Sequence, residues 1–95
     1  MKKRFVVVTT NKDRGGVFCG ELVKQGADVV VLKNAQMAVF WSSETHGVLG
    51  LASIGPQKGS RISPVVPRIE LNGVTAIMDC SEEANKLWKA SPWNN

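Results

Sequence analysis

Four runs of β-branched and aromatic residues fill the first 42 positions of this 95-residue chain, separated only by short polar or glycine-containing stretches. Such runs favour strands. Because the stretches between them are too short to hold a crossover helix, consecutive strands must be antiparallel. The sequence therefore predicts a meander of four strands, at residues 5–10, 16–23, 28–34 and 37–42.

The segment after the meander carries the signals of a short helix from Ser43 to Gly55. Ser43 is suited to the N-cap, and Gly55 to the C′ position that ends many helices. Gly47 and Gly50 oppose this prediction, because a glycine in a helix interior costs about 1 kcal/mol relative to alanine. We expect a short helix here, with a loop or an irregular strand as the alternative, and then a polar loop at residues 56–63.

Two prolines and one turn signal organise the next part of the chain. Pro64 and Pro67 cannot donate a backbone hydrogen bond, so the valines between them belong at a sheet edge or outside the sheet. Asn72 and Gly73 form the pair best suited to a two-residue type I′ turn, and alternating apolar runs flank them. Residues 68–79 are therefore expected to form a hairpin.

A C-terminal helix is expected from its N-cap Ser81 to about Ala90, with two acidic residues in the first turn. The length leaves room for a single domain, residues 1–95, with a thin core that self-association commonly supplements. Short strands also curl readily. The predicted fold is mainly β: a small SH3-like or Sm-like antiparallel β-barrel with a short middle helix and a C-terminal helix.

The residues available for catalysis or metal binding are few. Cys19 and Cys80 are far apart in sequence, and His46 is the single histidine, so no zinc or redox motif can be assembled. Both cysteines lie in apolar runs and are expected to be buried, reduced thiols, with one disulfide as the alternative. We therefore predict a non-enzymatic protein without metal or cofactor; a Cys–His pair is the remaining catalytic alternative.

The amino terminus begins with basic residues, as a signal peptide does, but the apolar run that follows is only three valines long. No apolar run approaches the roughly 20 residues that a membrane-spanning helix needs. The sequence therefore predicts a soluble, cytoplasmic protein without a membrane partner.

Two sets of residues resemble known families. Val-Val-Leu-Lys-Asn-Ala at 30–35 and Val-Pro at 66–67 resemble the pattern of small phage- and prophage-encoded proteins described as a domain of unknown function. This resemblance implies a cytoplasmic protein made from a phage or prophage genome, where small accessory proteins often counter host defence or handle nucleic acid. A looser similarity to Sm-like RNA-binding barrels rests on Gly20, Leu22, Gly73, Val74 and Ile77.

The basic residues give the clearest functional signal, because the formal net charge is +4 and no carboxylate occurs from Thr45 to Ile69. Glycines, a hydroxyl and cationic side chains in one loop can direct backbone amides and forked donors at phosphate oxygens. A solvated loop with incidental charges is the alternative. The predicted phosphate-binding residues are Lys58, Gly59, Ser60, Arg61, Arg68 and His46.

A second basic cluster brackets the first strand, and its alternative roles are solubility and protection of that strand's edge. It consists of Lys3, Arg4, Lys12 and Arg14. Among the aromatic residues, Phe40 is expected in the core, whereas Trp41 is expected either in the core or outside, where it would stack on a base or a second subunit. Trp93 in the C-terminal tail suggests docking or self-association.

These observations favour an oligomeric, non-enzymatic accessory protein that binds an anionic, phosphate-bearing ligand. The ligand would be either a nucleotide-type signal molecule, captured by an anti-defence sequestering protein, or single-stranded nucleic acid. The alternative is a protein-interaction or structural module whose basic face docks on an acidic host or virion protein.

Overall fold

The computed structural model of the chain describes residues 3–11 and 16–90, and these form six strands and two α-helices. The strands are β1 (Phe5–Thr10), β2 (Gly16–Gln25), β3 (Val30–Phe40), β4 (Arg61–Ile62), β5 (Val66–Leu71) and β6 (Val74–Asp79). A 3₁₀ turn (Ser43–Thr45) precedes helix α1 (Gly47–Ser53), and α2 (Glu82–Ala90) follows the last strand. None of these helices is long and apolar enough to cross a membrane.

The strands form one antiparallel sheet in the order β4, β3, β2, β1, β6. Strand β5 pairs with the first half of β3, and β4 pairs with its last residues. The antiparallel, mainly β prediction is confirmed, and so is the place of the proline-flanked valines at a sheet edge, because Val66 and Pro67 belong to the edge strand β5.

Strand β3 differs from the prediction, which divided it into two strands joined around Asn34. It is one strand with a bulge. Between the Glu21–Lys33 pair and the Cys19–Gln36 pair, two steps along β2 face three steps along β3. Asn34 absorbs the extra residue with a φ of 52°, a left-handed conformation that asparagine tolerates better than most residues. The polar segment that the sequence predicts to be a connection between two strands is therefore a bulge within one continuous strand.

The predicted hairpin is wrong in its pairing, although its two strands are correct. Strand β5 pairs with β3 and β6 pairs with β1, so the two lie at opposite edges of the sheet. A type I′ turn needs a positive φ at both central residues, and only Gly73 has one, at 66°. Asn72 instead donates its Nδ2 hydrogen to the carbonyl oxygen of Asp28, 2.9 Å away. Packing of each strand at its own edge overrides the local hairpin signal.

Each face of the sheet has its own apolar core, because alternate side chains point to opposite faces. One core lies beneath both helices and includes Val7, Cys19, Leu51, Ile62 and Trp88. The other contains Val6, Val8 and Leu32, together with Leu71 from β5 and Ile77 from β6. Since β5 and β6 lie at opposite edges, a shared core means that the sheet curls. The described strands β5 and β6 do not pair, so the predicted barrel is not closed.

The middle helix is shorter than predicted and interrupted. After the 3₁₀ turn Ser43–Thr45, His46 and Gly47 have φ values of 64° and 82°, and α1 begins at Gly47 with His46 as its N-cap. Ser43 is therefore not an N-cap but the first residue of the 3₁₀ turn. The prediction for the other end is confirmed: Gly55 has a φ of 86° and donates its N–H to the carbonyl oxygen of Gly50 at 2.9 Å.

Helix α2 begins and ends as predicted. The Ser81 hydroxyl accepts the backbone N–H of Ala84 at 3.0 Å, the bond that defines a serine N-cap. Trp88 is completely buried, and its indole N–H donates to the carbonyl oxygen of Leu51 at 2.9 Å. This bond and the packing around it fix α2 against α1 and over the sheet.

Candidate functional site

The loop predicted to bind phosphate forms a well-fixed turn. The Ser60 N–H donates to the carbonyl oxygen of Gln57 at 3.0 Å, and Gly59 has a φ of 94°, which is the geometry of a type II turn. Lys58 is exposed at the tip. The Gln57 N–H also donates to the Thr45 hydroxyl at 3.1 Å, so the loop is held against the 3₁₀ turn.

Ser60 has a structural position in this loop. Its side chain is 1% exposed, and its hydroxyl accepts the backbone N–H of Ser42 at 3.2 Å. The Thr45 hydroxyl lies 3.5 Å from it. Ser60 therefore links the loop to the neighbouring turn instead of facing a ligand.

Arg68 lies far from the rest of the predicted set. It faces Lys33 across the β5–β3 ladder, whereas Arg61 faces Phe40 at the other end of β3. At about 3.3 Å per residue, this separates the two arginines by roughly 20 Å along the strand. Arg68 also forms an exposed ion pair with Glu70 at 2.7 Å. The structure thus divides the six predicted residues and leaves His46 and the 57–61 loop at one end.

The two neighbouring aromatic residues at the end of β3 are placed in opposite environments. Phe40 is 59% exposed, so its predicted core position is wrong. Trp41 is half-buried and packs against the core beneath the helices. Adjacent residues face opposite sides, and the larger apolar surface of tryptophan takes the side that α1 covers.

The second basic cluster is described only in part, because Lys12 and Arg14 lie outside the described residues, as does Trp93. The Arg4 Nε donates to the Asp79 carboxylate at 2.8 Å, and both side chains are mostly exposed. An exposed pair of this kind contributes at most about 1 kcal/mol. Lys3, the other described residue of this cluster, lines a pocket.

The bulge of β3 forms one wall of that pocket, which we call the bulge pocket. It lies between the sheet and α2 and encloses about 50 Å³. This is the space of a few water molecules, so one phosphate or carboxylate group fits and a nucleobase does not. Its polar lining consists of Lys3, Lys89, Asn34, Gln36, Asn85 and Glu21.

Backbone geometry fixes the floor of the bulge pocket. Gly20 lies against the bulge, where an added Cβ would be 3.1 Å from the Leu32 Cβ and 3.2 Å from the Lys33 carbonyl oxygen. A glycine on β2 therefore lets the bulged strand approach closely. Gln36 is only 7% exposed, and its Nε2 donates to the carbonyl oxygen of Ser63 at 3.2 Å, so its side chain is held in place.

Helix α2 supplies the opposite wall of the bulge pocket. Asn85 and Lys89 are four residues apart, so both face the same side of the helix. The Lys89 ammonium lies 5.0 Å from the centre of the Phe5 ring, within the range of a cation–π contact. The lining of the bulge pocket thus contains two lysines and three amide side chains, with Glu21 as its one carboxylate. This arrangement suits an anion that accepts hydrogen bonds.

The two cysteines lie beside the bulge pocket as free thiols, their sulfur atoms 3.9 Å apart. Cys19 is buried as predicted, whereas Cys80 is half-buried. They flank β1, because Cys19 pairs with Val7 and the Cys80 N–H donates to the Phe5 carbonyl. The sulfur–sulfur distance of 3.9 Å is well beyond the roughly 2.05 Å of a disulfide bond, so the two thiols are not bonded to each other.

The thiol pair is expected to make the stability of the fold vary with pH in the alkaline range. The hydrogen bond from Cys19 to Cys80, together with burial, raises the pKa of Cys19 above its ordinary 9.0, and the same bond lowers the pKa of Cys80. The lowered pKa of Cys80 gives stability that is lost as pH falls below 9. The raised pKa of Cys19 gives stability that is lost as pH rises above 9. The stabilisation by the pair should therefore be greatest near pH 9.

Urea unfolding of the natural chain and of Cys19→Ala at pH 7, 9 and 10 measures this effect. The difference in unfolding free energy between the two chains is expected to increase from pH 7 to 9 and to decrease at pH 10. Cys80→Ala removes the same hydrogen bond but leaves Cys19 buried, and burial still raises the pKa of that thiol. As the second variant it should show the same increase from pH 7 to 9 and little decrease at pH 10. A difference that does not change with pH contradicts the thiol hydrogen bond.

No three histidine, cysteine, aspartate or glutamate side chains come together as metal ligands within residues 3–11 and 16–90. The fold and the bulge pocket define a class: a small antiparallel β protein whose single curled sheet carries two helices on one face and a cationic pocket beside a strand bulge. The chain belongs to the family described as Domain of unknown function (DUF6948), whose model matches residues 3–88. Comparison with curated proteins and with solved structures gives no match.

Among the polar residues that line the bulge pocket, the sequence predicted only Lys3 as a binding residue. Asn34 and Gln36 belong to a segment predicted to be a connection between strands. Asn85 and Lys89 belong to a helix for which only the apolar side was predicted to make contacts. The available signal was a polar Lys-Asn step inside an otherwise apolar strand, because such a step is typical of a bulge.

Proposed function

We propose that this protein is a non-enzymatic binding protein that holds the phosphate group of an anionic ligand in the bulge pocket. The observation that carries the proposal is the convergence of Lys3 and Lys89 with three amide side chains, of which Gln36 is held by a hydrogen bond, around a space of about 50 Å³. Hydrogen bonds from charged donors to phosphate oxygens are among the stronger ones in proteins. The rest of the ligand would lie outside the pocket, because only the anionic group fits.

Two ligand classes fit this chemistry: a nucleotide-type signal molecule and single-stranded nucleic acid. The proposal places the protein in the cytoplasm of a host cell as a phage or prophage accessory protein, where the first class would make it an anti-defence sequestering protein. The motif resemblance at residues 30–35 and 66–67 supports this setting. The strand order and the curled sheet support a distant relation to SH3-like or Sm-like barrels, and the small core supports self-association.

Removing the two lysines of the bulge pocket is expected to weaken binding strongly. Each charged hydrogen bond contributes about 1.5–3 kcal/mol, so the double variant Lys3→Gln/Lys89→Gln should bind at least about a hundredfold more weakly. Calorimetric titration at low salt, with ADP and with a ten-nucleotide oligothymidylate as probes, measures the loss. The matched control is Lys58→Gln/Arg61→Gln, which removes two positive charges from the loop at residues 57–61 and should retain binding.

The same titrations decide between the pocket, the loop and the ligand classes. Loss of binding in the control but not in the pocket variant would move the site to the 57–61 loop. A steep fall in affinity with salt indicates nucleic acid that contacts several cations, and a shallow fall indicates a single phosphate group. The proposal fails if neither probe binds the natural chain at low salt.

A further inference from the structure

A groove of about 500 Å³ lies along β6, at the place where the barrel would close. We call it the edge groove; it is lined by residues 25–30, at the β2–β3 turn, and by residues 73–77. Successive side chains of a strand point to opposite faces of the sheet. Consecutive residues of β6 can therefore line one groove only if the groove runs along the open edge of the strand. The groove therefore exposes backbone as well as side chains.

The hydrogen-bond pattern shows which backbone groups face the edge groove. The Cys80 N–H donates to the Phe5 carbonyl oxygen at 2.8 Å, which makes these two residues a hydrogen-bonded pair of the β1–β6 ladder. Such pairs alternate along an antiparallel ladder, so Met78 and Ala76 bond to β1. Ile77 lies between them and therefore directs its N–H and C=O away from β1, along the side that lines the groove.

Strands β5 and β6, at opposite edges of the sheet, differ in how they are protected. Proteins commonly protect an edge strand with proline or lysine, which prevents pairing with other chains. Strand β5 contains Pro67 and an exposed Arg68–Glu70 ion pair. Strand β6, Val-Thr-Ala-Ile-Met-Asp, contains neither proline nor lysine; its one charged residue, Asp79, is at its last position and pairs with Arg4. On its second side β6 pairs with no other described strand. An unprotected edge beside a groove is the arrangement that binds an added strand.

We propose that the edge groove binds an extended segment of a partner protein, which pairs with β6 as an additional strand. A single segment suits it better than a second copy of this sheet, because the 25–30 turn faces β6 across the groove and would obstruct a whole sheet. The wall is apolar at Val29, Val74 and Ile77 and polar at Thr75, and Asp28 is its one charged residue. The preferred segment therefore alternates apolar and polar side chains and carries a lysine or arginine that reaches Asp28.

The probe is an acetylated eight-residue peptide of alternating valine and threonine with lysine at one end, added to the ¹⁵N-labelled full chain. Binding is expected to shift the amide resonance of Ile77 and to slow its hydrogen exchange. The same peptide with N-methyl groups on alternate residues cannot form the ladder and should leave Ile77 unchanged. Equal effects of both peptides, or no effect of the first at millimolar concentration, overturn the proposal.

Asp28→Lys provides a variant that leaves the backbone contacts in place, because the Asp28 backbone carbonyl, and not its carboxylate, accepts the bond from Asn72. We expect about a fivefold loss of affinity for the lysine peptide and a gain for the peptide with glutamate instead. Unchanged affinities overturn the assigned charge preference.

The protein without peptide provides a further test. If hydrogen exchange of the Ile77 amide is slow there and becomes slower as the protein concentration rises, the edge binds a second copy of the chain, which also overturns the proposal. Asp28 is outside the bulge pocket, so anion binding tests the proposed function separately.

Discussion

Replacing Gly50 with alanine is expected to cost the protein at least about 3 kcal/mol of stability, because the new side chain would collide with the backbone. An added Cβ would overlap the carbonyl oxygen of Thr45 and lie 2.7 Å from its carbonyl carbon. Thr45 cannot move aside easily, since it is fully buried and its hydroxyl accepts the Gln57 N–H. A domain of this size has a total stability of about 5–14 kcal/mol, so the loss is a large part of it.

Gly26→Ala is the matched control for this substitution. Its added Cβ would be 3.5 Å from the nearest side-chain atom, that of Val29, which is an ordinary contact. Its stability should change by no more than about 0.5 kcal/mol. Urea unfolding followed by circular dichroism measures both variants. If Gly50→Ala unfolds at the same urea concentration as the natural chain, the close packing of α1 on the 3₁₀ turn is not as described.

Trp88→Ala is expected to have a similar or larger effect, a loss of about 3–5 kcal/mol, because it empties the centre of the core beneath the helices. Trp88 is completely buried among residues of the sheet and of α1. Its indole N–H also satisfies the carbonyl oxygen of Leu51. Trp88→Phe keeps most of the apolar volume but leaves that carbonyl without its partner, which should cost about 1–3 kcal/mol.

The neighbouring residue provides the comparison for Trp88. Leu87 is 38% exposed, so Leu87→Ala should cost less than Trp88→Phe and far less than Trp88→Ala. Thermal unfolding followed by circular dichroism gives the order, without relying on tryptophan fluorescence. Equal losses for Leu87→Ala and Trp88→Ala would contradict the central position of the indole.

Trp88 also connects the core to the bulge pocket, because Lys89 follows it in the same helix. The indole fixes α2 over the sheet, and the position of α2 sets how close Asn85 and Lys89 come to Asn34 on β3. Variants that loosen α2 are therefore expected to weaken anion binding even though Trp88 does not line the pocket. The stability of this helix and the proposed function depend on the same packing.

Structural features that depend on interactions within a few residues were predicted correctly from the sequence. The range of β1, the Ser81 cap of α2, the Gly55 end of α1 and the edge position of Pro67 all follow from local sterics and hydrogen bonding. These features depend on backbone preferences that a residue carries into any fold. The same reasoning gave the antiparallel sheet, because the connections are too short for parallel strands.

Pairing and convergence could not be predicted in this way. The Asn72–Gly73 signal favoured a hairpin, but β5 and β6 each gain more by packing at opposite edges of a curled sheet. The six residues chosen for phosphate binding were selected by charge along the chain, and the length of β3 separates Arg68 from the others. Charge composition does not specify which cations come together.

The sequence by itself determined a small, mainly β, antiparallel protein with a capped C-terminal helix and an excess of positive charge. Only the tertiary structure decided that β3 is continuous through a bulge, that its Asn34 meets Lys3 and Lys89, and that β6 keeps an unprotected edge. The physical reason is the range of the interactions. Caps and turns are settled between neighbours, whereas a pocket and a strand edge depend on how distant segments bury their apolar faces together.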